Sequence, residues 1–162
     1  MSEINVKGLS ELQAFLDVLP AKMEANIMRS ALRAGANVVK DEAKNNVPVK
    51  SGVLRDGLKV STRSRKGVVT ASVKATGKHA HVATWLEYGV AAHKITAKEG
   101  GSLFFGGAFA QSADHPGFSP KPFMRSALNT RAQDATVAIG NAIKKRLTKQ
   151  GINTSDVEIE AV

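Results

Sequence analysis

The chain has 162 residues, 43% of them hydrophobic and 23% charged, with a formal charge of +9 and no cysteine. That length fits one domain with a single modest core, and the missing thiols exclude disulfide frameworks, zinc ribbons and cysteine nucleophiles. No apolar run approaches the ~18 residues of a membrane span, and so basic a balance points to a polyanion or an acidic protein surface as partner.

Ser10 with Gln13 three residues on has the capping-box pattern. It predicts a helix from Ser10 to about Leu19, with Leu9, Leu12, Leu16 and Leu19 as the apolar stripe. Pro20 suits the first turn of a second helix over 21–46, whose apolar face is Met28, Leu32, Gly35, Val39 and Ala43. Ala31, Ala34, Gly35 and Ala36 make one turn small, so another backbone is expected to pass close there. Asn45, Asn46, Pro48 and Gly52 end the helix. From Leu58 the period becomes two. Leu58, Val60 and Thr62 alternate with Lys59, Ser61 and Arg63, and Val69, Ala71 and Val73 alternate again to about Lys74. This predicts a β-hairpin with a basic tip at 63–67. Residues 81–90 fit either a strand or a short helix leading to Gly89.

Residues 91–121 are expected to form a long connection with little regular structure. Three of the five prolines, Pro116, Pro120 and Pro122, lie at its end and stiffen an extended arm that carries Phe118 and Phe123. Pro122 is expected as the first residue of a terminal helix reaching about Lys149. Met124, Leu128, Ala132, Ala135, Ile139, Ile143 and Leu147 line one of its faces. Gly140 within that helix costs about 1 kcal/mol against alanine, which marks a close contact. Residues 151–162 form an acidic tail with Asp156, Glu158 and Glu160, either an edge strand through Val157 and Ile159 or disordered. These elements predict an α+β fold: long helices packed on a small antiparallel sheet, in one domain over 1–150.

Chemistry is hard to find. His79, His81, His93 and His115 could be gathered round a metal, but no carboxylate stands at a ligand spacing and no HExxH exists. The paired glycines of "GGSLFFGG" lack the GK[ST] of a phosphate loop and are expected to give flexibility around an apolar plug. No GxSxG elbow exists. No catalytic residue, metal or cofactor is therefore assigned, and the chain is not expected to be an enzyme. Glu87, between Trp85 and Tyr88, fits a buried acid with a raised pKa, or an interface or salt-bridge residue. Between Lys50 and Lys78 eight basic residues stand against Asp56 alone. Arg63, Arg65 and Lys66 at the hairpin tip, with Lys59, Lys74 and Lys78 behind, would make a concentrated positive surface. Without interleaved aromatics or a recognition helix, such a surface fits phosphates and does not read sequence.

Three short elements occur in order. They are Val47-Pro48 with Ser51, Gly52, Leu54 and Arg55; then Glu87, Tyr88 and Gly89; then Pro120, Pro122, Phe123 and Arg125 opening the last helix. Over residues 6–148 the chain resembles the tail-component family of tailed bacteriophages, the small neck or tail-completion proteins of lambda-like siphophages. It departs from the family in reading Arg125-Ser126-Ala127 where Arg-Pro-Ala is frequent, and in a longer loop from Ala91 to Asp114. The resemblance implies a structural virion protein of the neck or tail, assembled in the host cytoplasm. It would form a homo-oligomeric ring, sixfold or twelvefold, between head connector and tail tube or terminator proteins. DNA would pass through, touched without specificity, and no membrane is involved. Trp85, Glu87, Tyr88, Phe118, Pro122, Phe123 and Arg125 would then anchor the last helix to the body or to a neighbour. Arg63, Arg65, Lys66, Lys74 and Lys78 would face the lumen. The alternative is a free, non-specific nucleic-acid-binding protein. The first residues lack the basic start and apolar core of a signal peptide, which agrees with a cytoplasmic origin.

Overall fold

The computed structural model describes residues 6–161. The first five residues, part of the stretch read for a signal peptide, and Val162 of the acidic tail lie outside the described residues. The helices are α1 (Leu9–Asp17), α2 (Ala21–Asn46), α3 (Val53–Asp56), α4 (Ala80–Tyr88) and α5 (Met124–Lys149). The strands are β1 (Leu58–Arg65), β2 (Val68–Ala75), β3 (His93–Thr96), β4 (Leu103–Phe105), β5 (Ala108–Ala110) and β6 (Ser112–His115), in three separate antiparallel pairs. The expected α+β class holds.

The two 26-residue helices α2 and α5 set the frame. Each is roughly 39 Å long at 1.5 Å per residue, and they run antiparallel. Two cores form, one at each end of the pair. Ile27 and Ala31 of α2 meet Ile143 and Leu147 of α5, with Leu12 and Leu16 of α1. At the other end Ala43 and Val47 meet Phe123, Ala127 and Leu58. Midway, the small turn expected in α2 lets the helices close. A Cβ built on Gly35 would lie 2.6 Å from Ile139 Cγ1 and 2.8 Å from the Ala135 carbonyl oxygen.

The β1–β2 hairpin lies on α2 through its inward set of Leu58, Val60 and Thr62 with Val69, Ala71, Val73 and Ala75. Arg33 of α2 ties it further by donating to Thr62 Oγ1 at 3.1 Å. The turn is tighter than the polar segment 63–67. Arg63 and Arg65 belong to β1, and only Lys66 and Gly67 turn the chain, at φ 50° and 79°. Both residues at positive φ is the type I′ geometry, whose twist matches that of the strands it joins.

Four expectations fail for identifiable reasons. The Ser10 capping box does not form: Gly8 precedes the helix in the left-handed region, and Ser10 Oγ bonds Glu11 instead. Pro122 lies outside α5, because Phe123 takes the cap position. Residues 91–121 are not a poorly structured connection. β3 pairs with β6, and beyond them β4 pairs with β5. The Gly106-Gly107 pair is no flexible spacer but a two-residue turn with both φ positive. "LFF-GG-AFA" is thus a hairpin signal in its own right.

Residues 151–161 run back along the α1–α5 end. Val157 and Thr154 are buried, the Lys7 N–H donates to the Glu160 carbonyl, and Lys144 Nζ donates to the Val157 carbonyl. Val6 and Ala161 form an isolated antiparallel bridge. Ile159 lies over Gly140, where an added Cβ would meet Ile159 Cγ2 at 2.8 Å; this is the close contact that the glycine marked.

Gly35→Ala decides between two opposed effects. Helix propensity would favour alanine by about 1 kcal/mol, whereas forcing a methyl against a fixed carbonyl costs ~1–3 kcal/mol. The backbone oxygen cannot swing aside, so urea denaturation should find the variant less stable, by up to about 2 kcal/mol. A stabilised variant would mean that α2 and α5 do not meet there as described.

Candidate functional site

Among the described residues the buried acid is Glu87, in the last turn of α4, and its side chain is 8% exposed. Its carboxylate sits at the start of α5. The Phe123 and Met124 N–H groups donate to Oε2, both at 2.9 Å, and the Arg125 N–H donates to Oε1 at 3.0 Å. The Arg125 side chain turns back on the same group: Nε donates to Oε1 at 2.9 Å and Nη2 to the Glu87 carbonyl at 2.8 Å. A helix start leaves its first N–H groups without intrahelical partners and carries partial positive charge. Here a carboxylate from another helix satisfies three of them and meets that charge.

Sequence around the clamp explains why the chain can approach it. Gly89 takes φ 75° and ψ −179°, a region open essentially to glycine alone. A Cβ there would lie 2.8 Å from the Phe118 carbonyl oxygen and 2.9 Å from Pro120. Val90 and Phe118 then exchange both backbone bonds, at 3.0 and 2.9 Å. The proline-rich run crosses the end of α4, with the Lys121 N–H donating to the Leu86 carbonyl at 2.7 Å. Pro116, Pro120 and Pro122 have no N–H to satisfy. Such a strap can lie against a helix end with few ladder bonds and no orphaned donors.

Burial alone would raise the Glu87 pKa. The Met124 and Arg125 N–H groups, the Arg125 guanidinium and the Phe123 N–H outweigh it and hold the carboxyl below the usual glutamate range. The raised pKa envisaged for a buried acid is thus corrected, because burial comes with four donors. The guanidinium is itself half exposed and lies over the Tyr88 ring, 5.2 Å from its centroid.

Glu87, Tyr88, Phe123 and Arg125 are therefore in direct contact, although the two segments stand more than thirty positions apart in sequence. Phe123 is 1% exposed, within the core of Ala43, Val47, Leu58 and Ala127. Pro122 is the residue just before the cap. Trp85 faces outward one turn earlier on α4, edge-on to His81. Trp85, Tyr88 and Phe118 are all exposed.

Arg63, Arg65 and Lys66 sit at the hairpin tip, and the rest of the basic set trails behind it. Arg63 and Arg65 lie on the outward face of β1, Lys66 is in the turn, and Lys74 pairs with Lys59 at the far end. Lys78 follows in the loop before α4. From Lys66 to Lys74 is roughly 26 Å at strand rise. The charge forms a stripe along the open sheet face, not a concentrated surface. Among the described residues, none of these six side chains enters an ion pair. The histidines fall into two pairs, His79 with His81 and His93 stacked on His115 across β3–β6. No group of three or more side chains suited to a metal occurs among the described residues. No helix among them is long and apolar enough to cross a membrane.

Sequence reasoning missed an open apolar groove of about 510 Å³ between β2 and α5, with α2 as its floor. Leu128, on the apolar face expected for α5, is exposed beside it.

Residues 10–89 match the model of a family described as "Bacteriophage HK97-gp10, putative tail-component". Comparison with curated proteins and with solved structures found no match. The matched span runs from α1 to Gly89, so it contains Glu87 but not the α5 start that Glu87 holds.

Glu87→Gln should lower stability by about 2–4 kcal/mol, since it loses a charged acceptor and turns an amide donor toward backbone donors. Arg125→Ala should cost only about 1 kcal/mol, because its side chain is half exposed and its pairing is screened by water. The glutamate contributes fully above the unfolded carboxyl pKa of ~4.3. That contribution is lost as pH falls through the lower folded value, since the unfolded state then binds more protons. Denaturation midpoints measured down the acid range should therefore fall less steeply for Glu87→Gln than for the parent.

Proposed function

We propose, from the premise that this chain belongs over residues 10–89 to the tailed-bacteriophage tail-component family, that it is a structural protein of the virion neck. A tail component works among other phage structural proteins. Here the finer role is a homo-oligomeric ring, sixfold or twelvefold, joining the head connector to tail tube or terminator proteins while DNA passes through. The role is structural and assigns no catalytic step to any residue. Assembly takes place in the host cytoplasm.

The observation that carries this reading is where the large apolar side chains lie. Trp85, Tyr88 and Phe118 surround the clamp in the open, and Phe104, Phe105 and Phe109 stand exposed on the β3–β6 projection. Apolar groups exposed in clusters mark surfaces that other molecules cover. In a member of a tail family, those molecules are other virion subunits. The clamp holds these surfaces fixed relative to the two cores, as a positioning protein requires.

The second reading, a free non-specific nucleic-acid-binding protein, is favoured by the stripe of Lys59, Arg63, Arg65 and Lys74 without acidic partners. The two differ in what assembly needs. A ring lining a DNA conduit should show a defined mass several times that of the chain by light scattering, and weak DNA retention. Retention should fall with a slope of about −0.9 per neutralised phosphate in log K against log salt. Replacing Arg63, Arg65 and Lys66 with serine should reduce DNA retention and leave the mass unchanged. A monomer that binds DNA tightly would favour the second reading. Loss of the ring with DNA retention intact would assign the charges to subunit pairing.

A further inference from the structure

We propose that the β3–β6 arm of one copy inserts its aromatic tip into the groove between β2 and α5 of the next copy, an inference that rests on the ring reading. The tip is built by β4 and β5. Phe104 and Phe109 are register partners with rings 5.0 Å apart, and Phe105 pairs with Ala108 on the other face. Their exposures are 65%, 74% and 51%. The arm's strands pack chiefly on one another, which leaves these rings largely uncovered among the described residues.

The arm cannot readily fold back. Its base is pinned by the paired Val90–Phe118 bonds, and Gly117 lies so close to Val90 and Ala91 that a Cβ there would run into the Val90 carbonyl oxygen. The return leg, residues 108–115, holds the tip roughly 25 Å out at strand rise. A surface that covers it has to come from another molecule.

The groove fits in chemistry and size. Leu32 and Val39 of α2, Val73 of β2, and Leu128, Ala132 and Ile139 of α5 line it, and about 510 Å³ leaves room for more than one aromatic ring. At those exposures the three phenylalanines, at ~150–250 Å² each when fully buried, have roughly 300–500 Å² left to cover, about half of the ~800 Å² per partner in a stable interface. Each copy supplies one arm and one groove, so each subunit joins two contacts, one through its arm and one through its groove. Tip and groove are different surfaces, which makes the contact head-to-tail. Such contacts close into rings when the rotation allows.

The absence of native cysteine permits a direct test. Phe109→Cys and Leu128→Cys chains, both at exposed positions, are prepared separately, mixed before assembly, allowed to assemble together and oxidised. Disulfide-linked dimers containing one of each are expected, and the double variant should give a ladder of linked chains up to the copy number. The Phe104→Ser, Phe109→Ser double variant should keep the parent's circular dichroism and elute as a monomer. An assembled parent whose cysteine variants link only within one chain, or not at all, overturns the arm proposal and leaves the ring standing. So does an oligomer unaffected by the serine variant. A parent that stays monomeric overturns both.

Discussion

Everything at one end of this molecule depends on a single carboxylate. Taking an ionised glutamate out of water costs several kcal/mol when it is left unpaired. Glu87 is not left unpaired: three backbone donors and one guanidinium nitrogen surround its two oxygens. The same contacts remove three of the orphan donors at the start of a 26-residue helix. Two liabilities, a buried charge and an uncapped helix, cancel. Neither would be tolerable alone.

That cancellation fixes three parts of the chain together. α4 brings Glu87, α5 brings its first turn, and the proline strap between Phe118 and Pro122 lies across the end of α4. Phe123 follows directly into the core with Ala43, Val47 and Leu58. The arm between Val90 and Phe118 leaves from this same place, so the clamp also sets the direction in which the aromatic tip is held. The far end of the α2–α5 pair is held differently, by α1 and the returning tail. The two ends are thus closed by unrelated means, with Gly35 against Ile139 joining them at the middle.

The long-period features were legible in the chain. Helical spacing located α2 to within its observed bounds, alternation located β1 and β2, and the small turn at Gly35 and the lone Gly140 both marked close contacts. What escaped depends on pairing across distance. The Glu87 cap joins residues more than thirty positions apart, and no local pattern says that an acid in one helix will face the first turn of another. Ser10 failed as a cap for the opposite reason, since a local pattern was present and Gly8 had already turned the chain. In the arm, glycine content suggested looseness, although "LFF-GG-AFA" has the length and turn residues of a tight hairpin. The groove could not be read at all, because it exists only where β2 and α5 flank α2 and leave a gap between them. The Glu87-Tyr88-Gly89 element and the Pro120, Pro122, Phe123 and Arg125 element stand apart in the chain. Their meaning lies in their contact.

Amide hydrogen exchange at Phe123, Met124 and Arg125 tests this account most directly. Amides in the first turn of a helix ordinarily exchange fast, since no intrahelical acceptor holds them. If Glu87 holds all three, they should exchange only with global unfolding, as slowly as core amides of α2, and should become fast in Glu87→Gln. Rapid exchange of these three amides in the parent chain would contradict the central claim that a buried carboxylate fixes the start of α5.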